Sequence, residues 1–255
     1  MQYGSGDDVI CLHGWGGCCD SFLGIAKRLW HKYRVTLVDF YGFGGTPHPT
    51  KSLTLKDYVF SIVKIIRYYK MNNVTLICHS FGGRVGILLS KIYPYYIKNL
   101  ILTDSAGVLP RRGIKYYSKI FIHKIAYRLH VRHNGGSEDY RRLDGNMRET
   151  FKNIVNYNLS PYLSDIKART MIVWGNKDKD TPIYMARKMH KKIPNNLLVV
   201  FNGCAHYAYV ERHNLFCNIV ESFLLYDRNS GMGNGRSTFF KRNNRIVKIP
   251  LFKSK

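Results

Sequence analysis

Short runs of consecutive apolar residues alternate along this chain with longer stretches in which apolar side chains recur every three or four positions. The short runs are Val9–Leu12, Val35–Val38, Val74–Cys78, Leu100–Thr103, Met171–Trp174 and Leu197–Phe201. They are too brief for helices and rich in Val, Ile and Leu, as strands buried on both faces are. The longer stretches, Phe22–Trp30, Leu55–Tyr69, Phe81–Ile92, Tyr184–Lys192 and Asn214–Leu225, carry the spacing of amphipathic helices. Regular alternation of the two predicts an α/β protein with a doubly wound, mostly parallel sheet.

Two regions break the rhythm. Residues 107–161 contain no convincing strand, and their aromatic and basic residues (Tyr116, Tyr117, Phe121 and Tyr127, with Arg111, Arg112, Lys115 and Lys119) predict a helical lid insertion. Coming after the fourth strand, it would cover the strand ends where open α/β sheets keep their sites. Residues 227–255 are rich in Gly, Asn, Ser and basic residues and read as a basic, mostly disordered tail with a short ordered piece at Ile246–Phe252. The expected organisation is therefore a core of residues 1–106 and 162–226, the lid insertion 107–161, and the tail.

The pentad Cys78-His79-Ser80-Phe81-Gly82 joins a strand to a helix. A serine at that junction reads either as a helix N-cap or as a nucleophile on a tight strand-to-helix turn. The turn requires small neighbours; Gly82 and Gly83 comply, while Cys78 stands where a glycine is usual. A serine nucleophile needs a base, and the base an orienting acid, arriving in the order Ser, acid, His. Asp178 follows the strand "TMIVWG" and His206 follows "LLVVF", so both fall in loops at strand C-terminal ends. Asp180 and Asp104 are rivals for the acid. The glycine-rich turn "LHGWGG" after the first strand is suited to presenting backbone N–H groups to a developing oxyanion. One such donor is worth about 2.7–4 kcal/mol. The donors expected are the amides of Trp15 and Phe81.

Taken together, "LHGWGG", "DFYGFGGTPHP", "CHSFGG", "WGNKDKDTP" and "GCAHY" resemble, in order and spacing, the motifs of the α/β-hydrolase superfamily, over about Val9 to Tyr226. Within it, the chain is similar to the small cap-bearing serine esterases, such as the pimeloyl-carrier-protein methyl ester carboxylesterases, and to carbon–carbon bond hydrolases. The resemblance implies Ser80 as nucleophile, Asp178 as orienting acid, His206 as base, and Trp15 and Phe81 as oxyanion donors, with no metal or organic cofactor. It implies hydrolysis of a carboxylic ester or thioester through an acyl-enzyme, the alternatives being a β-diketone hydrolase or a non-catalytic binding protein on the same fold. Such proteins carry an N-terminal β-hairpin before the glycine turn; about eight residues precede Val9 here, so those edge strands are expected to be short or missing.

Composition adjusts this picture only at its margins. The net charge of +24 would suit nucleic acid or an anionic surface, but the basic residues are spread over the whole chain and no nucleic-acid module accompanies them. A small acyl ester is the partner expected. The basic insertion would suit an anionic or carrier-bound one, although a solvated charged face is the simpler reading of the same residues. The six cysteines lack CxxC pairs, which predicts free thiols, no zinc site and a reducing cytoplasm. Neither a secretory leader nor a membrane-length apolar run is visible.

Overall fold

The computed structural model describes residues 1–110, 143, 145–230 and 246–249. The aromatic and basic residues named above between positions 111 and 127 lie outside them. Among the described residues a single eight-stranded sheet has the order β1 (Gln2–Tyr3), β3 (Tyr33–Val38), β2 (Asp7–Leu12), β4 (Val74–His79), β5 (Ile97–Thr103), β6 (Arg169–Gly175), β7 (Asn196–Phe201), β8 (Ile246–Ile249). Every neighbouring pair is parallel except β1 with β3. The six strands expected from the apolar runs are all present. On the edge beside β3, the described strand is the two-residue β1.

Alternation along the strands divides the core in two. Ile10, Leu12, Leu76, Cys78, Leu100 and Leu102 face α2 (Leu55–Tyr68), α3 (Phe81–Ile92) and α5 (Tyr184–Lys192) on one side of the sheet. Val9, Cys11, Ile77, Ile101, Val173 and Val199 face α1 (Leu23–Leu29) and α6 (His213–Ser230) on the other. Helix α2 shows how the sequence sets such an element. Thr54 and Asp57 form a capping box, and Leu55, Tyr58, Val59, Ile62, Val63 and Ile66 bury one stripe at helical spacing. Helix α6 runs to Ser230, past the Leu225 expected, because no helix breaker occurs before Gly231. The tail likewise supplies β8 beside β7, inside the short ordered piece expected at Ile246–Phe252.

From β2 the chain steps outward to β3, then crosses back over β2 to β4, and from there proceeds steadily to β8. The reversal lies between β2 and β4, where Leu12 is in register with Cys78. In open α/β sheets this is the crevice that ligands occupy. It carries the glycine turn on one strand and Ser80 on the other.

Candidate active site

Ser80 ends β4 with φ 47° and ψ −109°, a backbone conformation that costs an L-residue about 1–3 kcal/mol. Surrounding hydrogen bonds hold it there. Its carbonyl accepts from Gly83 N and Ala106 N (both 3.0 Å), and Gly82 N donates to the His13 carbonyl at 3.0 Å. Helix α3 consequently passes so close to β2 that a side chain at 82 would begin 2.1 Å from the Leu12 carbonyl oxygen. Cys78, the departure from the usual glycine, is fully buried and lies over Gly86 one turn into α3. The space that the strand does not leave empty is left empty on the helix instead.

Although Ser80 is the N-cap residue of α3, its side chain makes no cap hydrogen bond. Its hydroxyl donates to His206 Nε2 at 3.1 Å, and His206 Nδ1–H donates to Asp178 Oδ2 at 2.9 Å. The second Asp178 oxygen accepts from the amides of Asp180 (2.8 Å) and Thr181 (2.9 Å), and Thr181 Oγ1 lies 2.7 Å from Oδ2. Burial alone would raise the Asp178 carboxyl, but these donors, the imidazole foremost, hold it below its ordinary value. For His206 burial works downward and is outweighed by the hydrogen bond and charge of Asp178, so the imidazole is held above 6.5.

The structure thus brings Ser80, His206 and Asp178 into one hydrogen-bonded chain and leaves the two rival acids out of it. Asp180 is exposed and contributes its amide. Asp104 is fully buried and engages other groups: Oδ1 accepts from Gly175 N at 2.8 Å, while Oδ2 accepts from Ala208 N and Thr103 Oγ1, each at 3.1 Å. It ties the loop bearing Asp178 to the loop bearing His206. Burial, with the charge of Asp178, pushes its carboxyl up to about 8 against the pull of the Gly175 amide. Asp178, Asp180 and His206 also present ligand atoms within 4.8 Å of one another, as a metal site would. Both Asp178 oxygens are occupied by hydrogen bonds that orient the imidazole, so the cluster needs no ion to explain it.

Trp15 occupies the turn closed by Gly17 N on the Gly14 carbonyl (3.1 Å), and Phe81 opens α3. Among the described residues neither amide has a hydrogen-bond acceptor. Their side chains pack edge to face at 5.3 Å. A cavity of about 650 Å³ opens at Ser80, with walls that include Trp15, Phe81, Val108, Phe151, Ile154 and Met185. Phe151 and Ile154 come from α4 (Gly145–Val155), the described helix of the expected insertion.

Three buried residues of the site went unnoticed in the sequence. His13 donates from Nδ1 to the Gly14 carbonyl at 2.7 Å and accepts the Phe40 amide on Nε2 at 3.2 Å, fastening the glycine turn to the loop after β3. His79 donates from Nε2 to the His206 carbonyl at 2.9 Å, and burial followed by the nearby His206 charge pushes it down to about 3. It is a neutral strut under the His206 loop. Arg84, one helical turn beyond Ser80, lines the same cavity. The i, i+4 relation to Ser80 was the available signal; among forty basic residues it was lost.

A strained serine at the switch point, hydrogen-bonded through a histidine to a buried aspartate, defines an α/β hydrolase by fold and by site. The chain belongs to the alpha/beta hydrolase family, whose model it matches from residue 9 to residue 218. It is 24% identical over 254 residues to a 2-hydroxy-6-oxononadienedioate/2-hydroxy-6-oxononatrienedioate hydrolase of Escherichia coli strain K12, covering 87% of this chain and 88% of that protein. It is 22% identical over 211 residues to a serine hydrolase-like protein of Danio rerio, covering 79% of this chain and 61% of that one. Among solved structures, an esterase from Exiguobacterium antarcticum superposes with a TM-score of 0.72 at 22% identity, covering 88% of this chain and 93% of the esterase. No described helix is long and apolar enough to cross a membrane.

Proposed function

We propose that the chain is a serine hydrolase that cleaves a carboxylic ester or thioester through an acyl-enzyme. The observation that carries this reading is the hydrogen-bonded chain from Ser80 through His206 to Asp178, with Ser80 held at positive φ beneath two unengaged amides. His206 Nε2 takes the Ser80 proton as Oγ attacks the carbonyl carbon; Asp178 fixes the Nδ1–H tautomer and stabilises the imidazolium. The oxyanion rests on the Trp15 and Phe81 amides. His206 then gives the proton to the leaving group, and water repeats the steps to release the acid and free Ser80. The described helix of the insertion, α4, supplies Phe151 and Ile154 to the wall of the acyl cavity, the contribution expected of a lid element.

A fluorophosphonate probe is expected to label Ser80, and short-chain acyl esters and thioesters to turn over with wild type but not with Ser80→Ala. An unlabelled wild-type serine would favour a binding protein on this fold. One further reading is cleavage of a carbon–carbon bond in a β-diketone; it is favoured by the presence among the relatives of a hydrolase whose named substrates, the 2-hydroxy-6-oxo acids, also carry a ketone. Including such a compound in the panel separates it from ester cleavage.

A further inference from the structure

Arg84 lies on α3 and is 6% exposed, yet no carboxylate among the described residues pairs with it. Burying a guanidinium is costly, and one this deep ordinarily has an anionic partner. Instead Nη1 donates to the carbonyls of Ile154 (3.0 Å) and Tyr157 (2.9 Å), and Nη2 to that of Val155 (3.2 Å). These carbonyls, at and just beyond the C-terminal end of α4, account for three of the five N–H donors. The remaining two, one on Nε and one on Nη2, have no acceptor among the described residues, and an added carboxylate could accept from them. Burial pulls the group down to about 10, so it stays charged at neutral pH.

Arg84 shares the cavity wall with Ser80, and four residues of helix place the two Cα atoms about 6 Å apart along the axis. Besides His206 that wall carries one carboxylate, Asp180, which is exposed and makes no ion pair with Arg84 among the described residues. Apolar and aromatic side chains, Val108, Phe151 and Met185 among them, share the wall with these polar groups, and a buried cation in such a lining favours acyl groups of opposite charge.

We infer that Arg84 receives an anionic group on the acyl part of the substrate, so that the site is built for short acyl chains ending in a carboxylate. The inference rests on the reading of Ser80 as the acyl acceptor. An acyl chain a few carbons long would place its carbonyl at Ser80 and its carboxylate at the open side of the guanidinium.

The test compares kcat/KM for the 4-nitrophenyl half-ester of glutaric acid with that for 4-nitrophenyl pentanoate, of equal acyl length, in wild type and Arg84→Met. The ratio of anionic to neutral ester is expected to fall by about tenfold or more in the variant, the loss of a charge-assisted bidentate contact. An equal loss for both esters would mean that Arg84 only clamps α4, and would overturn the inference; so would an unchanged ratio. Because Arg84→Met also removes three hydrogen bonds to α4, a second measurement uses wild type alone. Glutarate should protect Ser80 from a fluorophosphonate at about tenfold lower concentration than glutaramide, and equal protection would refute anion recognition. A wild-type Ser80 that never labels would overturn both this inference and the acyl-enzyme reading; labelling without charge discrimination overturns this one alone.

Discussion

The contact between Cys78 and Gly86 can be tested as a lock and its complement. In Gly86→Ala the new Cβ would stand 2.6 Å from Cys78 Sγ, against 3.6 Å from Cys78 Cβ and 3.2 Å from Leu100 Cδ1. Non-bonded heavy atoms prefer about 3.5–4.0 Å, so only the sulfur is about 1 Å too near, the leucine tip being able to turn away. Overpacking of this kind costs about 1–3 kcal/mol, and alanine recovers up to about 1 kcal/mol over glycine within a helix. The single variant should therefore lose about 1–2 kcal/mol. With Cys78→Ala in place, the sulfur is gone, and the Cβ added at position 86 meets the one at position 78 at ordinary contact distance. There the Gly86→Ala change should be neutral or stabilising by up to about 1 kcal/mol. Urea unfolding of the four proteins by circular dichroism gives the cycle, with an expected coupling of about 2 kcal/mol, well above the about 0.5 kcal/mol within which independent sites add. An identical cost of Gly86→Ala in both backgrounds would refute this account of how the turn tolerates cysteine.

Two further expectations follow from the electrostatics of the site. Because His206 must be neutral to accept a proton and Asp178 holds it above 6.5, activity should rise with pH through a limb above that value. Asp178→Asn should move this limb to lower pH while kcat falls by about 10⁴-fold; a limb that stays in place would assign the orienting charge elsewhere. His79→Leu removes the donor to the His206 carbonyl and should lower kcat by about ten- to a hundredfold with KM little changed, and His79→Gln should recover part of the loss. Neither His79 variant should shift the limb, since that imidazole titrates near 3, and a shift in the pH–rate profile would show a direct role in proton transfer.

Most of the framework could be read from the chain because hydrophobic period and chain order are local properties. The strand Met171–Trp174 and the loop containing Asp178 announce each other, as do Leu197–Phe201 and the loop of His206. What escaped depends on contacts between distant segments. Nothing near Asp104 in sequence indicates that its carboxylate bridges Gly175 and Ala208, 71 and 104 positions away. His13 and His79 were two of ten histidines until their partners were fixed in space. Cys78 looked like an exception because the compensating glycine sits eight residues on, across a turn of helix that only packing makes its neighbour. β1, of two residues, is too short for any period to show, and at β8 the chain marked an ordered piece but not its pairing with β7.

The positive φ of Ser80 has an evolutionary side. Glycine adopts that conformation without strain, so Ser80→Gly would relieve about 1–3 kcal/mol while removing the hydroxyl on which the proposed chemistry depends. A lineage selected for robustness alone would drift toward glycine at this position and lose turnover within an intact fold. Serine at this position thus stands against the preference of the backbone, and a descendant that had given up catalysis would be recognised by which side of that contest prevailed.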